Sequence, residues 1–252
     1  MPTATRRVPR LAIACQGGGA HTAFTAGVLA YIFLSFEHFH AQGEEGRWFE
    51  LVGLSGTSGG AITAAMAWSE APDGSWAEGA RRVLHYWNRN KASLDPRGKQ
   101  PFWWGEYFSN ATSRALAAWQ DYLPSVSLPP SPFLSSLVQA RMRDDLRAVT
   151  GVSDQADRFT GRPGLDLFVG AVDVVNPEGE PQTAFRTFPD RPAEGLRLDE
   201  LLASACIPEL FVAQPLTVDS RDGTGRREAR YFWDGLYSQN PPINDFFDGR
   251  SR

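Results

Sequence analysis

The sequence is poor in residues that mark several classes of protein. Its 252 residues include only two cysteines, Cys15 and Cys206, which are too few for a disulfide scaffold. Both lie in apolar stretches, which predicts buried free thiols. The 25 basic residues are outnumbered by 29 acidic ones, a net charge of −4, so no positive field favours nucleic acid as a partner. These shortages exclude a disulfide-rich scaffold and argue against a nucleic-acid-binding protein.

Long apolar runs are also missing. The run at residues 11–15, after a basic start, is shorter than the apolar core of a secretion signal. The longest apolar stretch, residues 23–36, is broken by Thr25, Gly27 and Ser35 and is shorter than a membrane span. We therefore expect a soluble, cytoplasmic protein, and export by a route without a cleaved signal is the alternative.

The first third of the chain repeats the order strand, glycine turn, helix. Apolar strands are predicted at residues 11–15 and 49–54. A glycine-rich turn comes after each strand, and helices are predicted at residues 21–39 and 61–68. This order is typical of a layered α/β domain with a parallel sheet.

The rest of the chain is less regular but fits one domain of residues 1–252. Helices are predicted at residues 75–90, 132–149 and 196–205, and strands at residues 165–175, 183–188, 211–218 and 230–233. Residues 87–150 are predicted to form a variable helical insert that is rich in aromatic side chains. Such rings suit an acyl pocket or a lipid–water interface, and core packing is the alternative.

The motif Gly56-Thr57-Ser58-Gly59-Gly60 is a G-x-S-x-G between a predicted strand and a predicted helix. A nucleophile elbow requires this strand–turn–helix context. Small neighbours let the tight turn form, and the helix N-terminus favours negative charge near Ser58. A glycine–serine loop without function is the alternative.

A nucleophilic serine needs a base, and the histidines do not supply one in the usual order. The four histidines all precede residue 86: His21, His38, His40 and His85. The triad of α/β-hydrolases instead runs serine, acid, histidine along the chain. We therefore do not expect that triad, and the absence of clustered cysteines or carboxylates predicts neither a metal site nor a cofactor.

A second glycine cluster, Gly17-Gly18-Gly19, lies between the first predicted strand and helix. Backbone N–H groups at such a position suit an anion. The dinucleotide pattern G-x-G-x-x-G fails at Thr22, and there is no P-loop lysine after it. These features favour an oxyanion site that also uses the N–H of Gly59. A nucleotide-binding α/β module and a plain tight turn are the alternatives.

Taken together and in order, these motifs resemble those of the patatin-like phospholipase family. The remaining matches lie in the second half of the chain: Ala203-Ser204-Ala205-Cys206-Ile207-Pro208 is similar to the family's A-S-x-A-x-P segment, Trp233-Asp234-Gly235 to its D-G-G/A motif, and Asn240-Pro241-Pro242-Ile243 to the family's run downstream of that motif. The resemblance implies an α/β three-layer sandwich with a central, mainly parallel sheet flanked by helices.

The resemblance also implies a Ser–Asp dyad. Ser58 would attack an ester carbonyl, and Asp234 would accept its proton and later activate water. Gly17, Gly18, Gly19 and Gly59 would form the oxyanion hole; Gly56 and Gly60 would shape the elbow, and Gly235 would support the aspartate. Asp173 is the rival acid, and a turn-forming Asp-Gly is the alternative role of Asp234.

The implied function is that of a serine lipid acyl hydrolase of the phospholipase A or esterase type, acting through an acyl-enzyme. Its expected partners are a lipid or other acyl-ester substrate and, transiently, a membrane surface. A catalytically silent interaction protein with the same fold is a further alternative.

The sequence departs from the family pattern in three places. His21 and Thr22 stand where a basic residue and a glycine are usual, and Leu236 replaces a small residue after Asp-Gly. The chain also stops soon after Asp234, so we expect C-terminal elements of the family fold to be missing. A compact family member, a truncated chain and one piece of a cleaved protein all fit this length.

Overall fold

The computed structural model describes most of the chain in nine segments. These are residues 8–44, 49–69, 74–90, 132–153, 158–174, 184–189, 195–208, 210–219 and 226–247. Of the predicted aromatic insert, residues 91–131 lie outside the described residues.

The described elements keep the predicted order. The strands are β1 (Arg10–Cys15), β2 (Glu50–Thr57), β3 (Arg158–Phe159), β4 (Asp166–Asp173), β5 (Ala184–Pro189), β6 (Leu196–Arg197), β7 (Gln214–Asp219) and β8 (Arg227–Asp234). The helices are α1 (Thr22–Ala41), α2 (Gly59–Trp68), α3 (Trp76–Arg89), α4 (Pro132–Thr150) and α5 (Leu198–Ser204). Short 3-10 turns lie at Gly19–His21, Gly235–Tyr237 and Asn244–Phe246.

Six of the described strands form one central sheet. Its order is β1-β2-β4-β8-β7, and β5 pairs with β4 as well. β1, β2 and β4 are parallel neighbours, whereas β5 and β8 run antiparallel to β4, and β7 runs antiparallel to β8. Four of these six strands therefore point the same way. This mixed, mostly parallel sheet with flanking helices confirms the predicted α/β fold class.

β2 and β8 meet end to end along one edge of β4. β5 pairs with β4 over residues 168–173 and so occupies one edge of it from Phe168 to its end. β2 pairs with the earlier part of β4, up to Thr57 opposite Gly170, and β8 pairs with the later part, with Asp234 opposite Ala171. Because a strand has only two edges, β2 and β8 share the second one. Their C-terminal ends therefore meet at adjacent residues of β4.

α2 is the central helix of the core. All ten of its residues are buried, and it contacts β1, β2 and β4. α1 and α3 pack on α2 and on each other, with Phe33 and Trp76 in an edge-to-face contact at 5.2 Å. Glu37 of α1 joins the two helices further, because its Oε2 accepts hydrogen bonds from the N–H groups of Trp76 (2.7 Å) and Ala77 (3.1 Å) at the start of α3. α2 is therefore enclosed between the sheet and these two helices.

Two local features differ from the sequence predictions. β2 extends three residues beyond its predicted end, because Ser55 and Gly56 pair with both β1 and β4, and Thr57 still pairs with β4. Residues 196–197, predicted as the start of a helix, instead form β6, which pairs with the unpredicted β3. The predicted hairpin is confirmed as β7 and β8, although β7 begins three residues later than predicted and β8 begins three residues earlier.

α1 is unusually apolar. Together with the turn before it, Gly19–Ala41 is the one helix in the described segments that is long and apolar enough to cross a membrane. Length and composition are the only grounds for that description, and a third of its most apolar window is buried inside the protein. Leu29, Phe33 and Phe36 face the core, so one side of α1 serves the packing of the domain.

Candidate active site

Ser58 occupies a strained turn between β2 and α2. Its φ of 56° and ψ of −129° make it the only non-glycine residue with positive φ among those described. Such a conformation costs on the order of 1–3 kcal/mol and persists only where the surroundings hold it. The strand before it and the helix after it match the context of a nucleophile elbow.

Close backbone packing explains the glycines on either side of Ser58. A Cβ on Gly56 would lie 2.4 Å from the carbonyl carbon of Gly60, and a Cβ on Gly60 would lie 2.1 Å from the carbonyl oxygen of Cys15. A Cβ on Gly59 would lie 2.7 Å from Oγ1 of Thr22. Real atoms do not approach this closely, so a side chain at Gly56 or Gly60 would push α2 away from the sheet.

The end of α5 and the residues just after it contact both predicted catalytic residues. The N–H of Ser58 donates to the carbonyl oxygen of Ser204 at 3.1 Å and to its Oγ at 3.0 Å. The N–H of Asp234 donates to the carbonyl oxygen of Cys206 at 2.9 Å. The resemblance identified this segment, but the sequence does not indicate what it holds. In the structure it links the end of β2 to the end of β8.

Asp234 is fully buried at the end of β8, with 0% exposure. Its Oδ1 accepts a hydrogen bond from the N–H of Leu236 at 2.9 Å, which caps the following 3-10 turn. The pKa of the Cys206 thiol is raised to about 12, mainly by burial and to a smaller extent by the negative charge of Asp234. Asp234 therefore forms the Asp-Gly turn and also places its carboxylate in the interior. Forming this turn is compatible with the role of base that the resemblance implies.

Asp173, the rival acid, lies in a different setting. It is buried on β4, and its carboxylate forms an ion pair with Arg230 of β8. In the strand register it stands opposite Phe232, two residues before Asp234. Asp173 therefore joins two neighbouring strands, whereas Asp234 lies at the joint between β2 and β8.

The first glycine loop lies against the elbow. A Cβ on Gly17 would lie 2.6 Å from the carbonyl oxygen of Thr57 and 3.0 Å from Cβ of Ser58. The N–H of Gly17 donates to Oδ1 of Asn240 at 2.6 Å, and Nδ2 of Asn240 donates back to the carbonyl oxygen of Gly17 at 3.4 Å. The amide of Gly17 is thus engaged within the protein. Of the four predicted oxyanion donors, this leaves the amides of Gly18, Gly19 and Gly59 as candidates.

The segment directly after Asp234 packs against the point where β2 and β8 meet on β4. Oγ1 of Thr57 donates to the carbonyl oxygen of Gln239 at 2.8 Å. A Cβ on Gly235 would lie 2.6 Å from the carbonyl carbon of Gly170, so this glycine lets the chain pass close to β4. Residues 235–240 therefore connect the predicted acid, the elbow and the first glycine loop.

None of the four histidines is buried beside Ser58 or Asp234. All four lie exposed on α1, on the turn before it or on α3. The N–H of His21 closes that turn by donating to the carbonyl oxygen of Gly18 at 3.1 Å. Within the described segments, no three side chains of histidine, cysteine, aspartate or glutamate are grouped so that they could hold a metal ion.

Comparison with known proteins agrees with the geometry. The family model described as patatin-like phospholipase matches residues 13–247, from β1 to the end of the described chain. None of the curated proteins compared with the sequence matches it. The match covers nearly the whole chain and includes every motif described above. The chain therefore belongs to the patatin-like phospholipase family.

Proposed function

We propose that the protein is a serine lipid acyl hydrolase, of the phospholipase A or esterase type, that works through a dyad of Ser58 and Asp234. One observation carries the proposal: the strained serine turn and the buried aspartate stand at the two strand ends that meet on β4. Family membership supports lipid acyl hydrolysis and disfavours the nucleotide-binding alternative.

The proposed reaction uses the chemistry of acyl transfer. Oγ of Ser58 attacks the ester carbonyl carbon while Asp234 accepts the hydroxyl proton. Negative charge develops on the carbonyl oxygen, where amides of Gly18, Gly19 and Gly59 and the N-terminus of α2 stabilise it. The C–O bond to the alcohol then breaks, and the alcohol leaves with the proton from Asp234.

Water completes the cycle. It attacks the acyl-enzyme carbonyl and gives one proton to Asp234. The bond to Oγ then breaks, the acid is released, and Ser58 recovers its proton from Asp234. No cofactor enters either half of this reaction.

Asn240 has a positioning role in this scheme. Its side chain binds both backbone groups of Gly17, at 2.6 Å to the N–H and 3.4 Å to the carbonyl oxygen. Holding Gly17 against the elbow orients the next two amides, of Gly18 and Gly19, relative to Ser58. An error of about 1 Å in such a group can lower a rate about 100-fold.

A covalent probe tests the nucleophile. Incubation with an alkyl fluorophosphonate should add one phosphonyl group to the peptide that contains Ser58, and Ser58→Ala should remain unmodified. Ser55→Ala, three residues earlier on β2, is the matched control and should label like the wild type. An unlabelled wild-type protein with a cooperative thermal unfolding transition would contradict the assignment.

Turnover of p-nitrophenyl butyrate tests the base. Asp234→Asn should lower kcat by about 10²–10⁴-fold, the usual contribution of a general base. Asp173→Asn should keep kcat within about tenfold wherever the variant stays folded, because that carboxylate serves an ion pair. The opposite ranking of the two variants would assign the base to Asp173.

A further inference from the structure

The outer face of α1 is exposed and apolar. Four large side chains on it are partly or mostly exposed: Phe24 (79%), Val28 (46%), Tyr31 (73%) and Leu34 (47%). Their spacing of three or four residues places them on one side of the helix. The first three of them, with Ala23 and Gly27, line an open groove of about 480 Å³.

This face carries no formal charge. Glu37 is the only aspartate, glutamate, lysine or arginine in α1, and its carboxylate is turned toward α3, where it accepts hydrogen bonds from Trp76 and Ala77. The solvent side of a helix in a soluble domain is normally polar. Contiguous apolar surface of this kind marks a place where another molecule binds.

α1 cannot cover this apolar face by crossing a membrane. Leu29, Phe33 and Phe36, on the opposite side, belong to the hydrophobic core. Moving the helix into a bilayer would remove those side chains from the core. The partner must therefore lie on the helix while it stays packed in the domain, as lipid does on interfacial amphipathic helices.

The area of the face decides between a second protein chain and a lipid surface. With about 150–250 Å² for each fully exposed aromatic side chain, the four exposed side chains offer on the order of 400 Å². A stable protein–protein interface buries about 800 Å² on each partner. The face is about half of that, whereas an aromatic and aliphatic surface of this size is enough to seat a helix among lipid headgroups.

The outer face of α1 belongs to a helix that begins next to the candidate active site. α1 begins directly after the first glycine loop, and Oγ1 of Thr22 lies where a Cβ on Gly59 would touch it, at 2.7 Å. We propose that the protein lies on aggregated lipid through the outer face of α1. The binding to lipid does not depend on the proposed function. Only the orientation of the bound protein rests on it, because this orientation brings lipid beside Ser58.

Co-sedimentation with vesicles of dioleoylphosphatidylcholine tests the proposal. The wild type should bind, and the double variant Phe24→Ser, Tyr31→Ser should bind at least tenfold more weakly. Phe133→Ser is the matched control, because Phe133 is 74% exposed on α4; it should bind like the wild type. Ser58→Ala should also bind normally, which separates this proposal from the hydrolase assignment.

Three outcomes would overturn the proposal. The first is a wild type that does not sediment with vesicles, and the second is equal loss in the α1 double variant and in Phe133→Ser. The third is a lipid-free dimer, seen by sedimentation velocity, that the double variant abolishes, since that would make a second copy the partner. Circular dichroism and thermal unfolding of the double variant should match the wild type, because both side chains are mostly exposed.

Discussion

At the scale of single residues, the site depends on contacts that join distant parts of the chain. The small residues around Ser58 and the Asp-Gly at 234 are local patterns, so the sequence could nominate both residues. The roles of Ser204 and Asn240 could not be predicted in this way, because their hydrogen bonds reach Ser58 and Gly17, which are 146 and 223 residues away. Only the folded chain shows what these two side chains hold.

Asn240 offers the sharpest test at this scale. Asn240→Ala should lower kcat for p-nitrophenyl butyrate by about 10–100-fold and change KM by less than about threefold, because misplaced oxyanion amides weaken the transition state more than the bound substrate. Affinity for a trifluoromethyl ketone, which forms an oxyanion on Ser58, should fall in parallel. Asn244→Ala, an exposed neighbour, should change neither quantity. Equal kinetics for the two variants would remove the positioning role.

At the scale of elements, glycine packing determines how closely α2 approaches the sheet. The alternation of apolar strand, glycine turn and helix is a local signal, so β1, α1, β2 and α2 were all predicted near their observed bounds. The β3–β6 pair was not predicted, because two strands of two residues each carry no periodicity. The continuation of β2 to Thr57 was missed because residues 55–57 look like a loop, and their pairing comes from neighbouring strands.

Two glycine substitutions should therefore have opposite effects on stability. Gly60→Ala places a Cβ 2.1 Å from the Cys15 carbonyl oxygen and should destabilise the fold by at least about 3 kcal/mol or prevent folding. Gly27→Ala, on the outer face of α1 with nothing within 4 Å, should stabilise it by about 0.5–1 kcal/mol through helix propensity. Urea unfolding measures both changes, and a Gly60→Ala variant of wild-type stability would contradict the packing argument.

At the scale of the whole molecule, both cysteines report on the integrity of the domain. Cys15 ends β1, and Cys206 lies just after α5, so the two thiols lie in well-separated parts of the chain. Burial is the main cause that raises the pKa of each to about 12. The sequence predicted buried free thiols, and both are confirmed as free and buried.

Thiol labelling should therefore track global unfolding. At pH 8–9 the native thiols stay protonated and inaccessible, so Ellman's reagent should react with neither at an appreciable rate. Unfolded chains, in which the thiol pKa is about 8.5, should expose both at once. Because the folded pKa is raised, this contribution to stability is complete below the unfolded pKa and declines as the pH rises from about 9 toward 12. Fast labelling of one cysteine in native protein would show local opening around it.

The meeting of β2 and β8 on a single edge of β4 has a consequence for how activity arises in time. The strands and the helix that flank Ser58 (β1, β2 and α2) are close in sequence, whereas Asp234 arrives with a strand 176 positions after Ser58. Pairings of such high contact order form slowly and late in folding. A partly folded chain would thus carry the nucleophile without its base. The proposed hydrolase would be inactive until the sheet is complete, so folding intermediates would not hydrolyse the surrounding lipid.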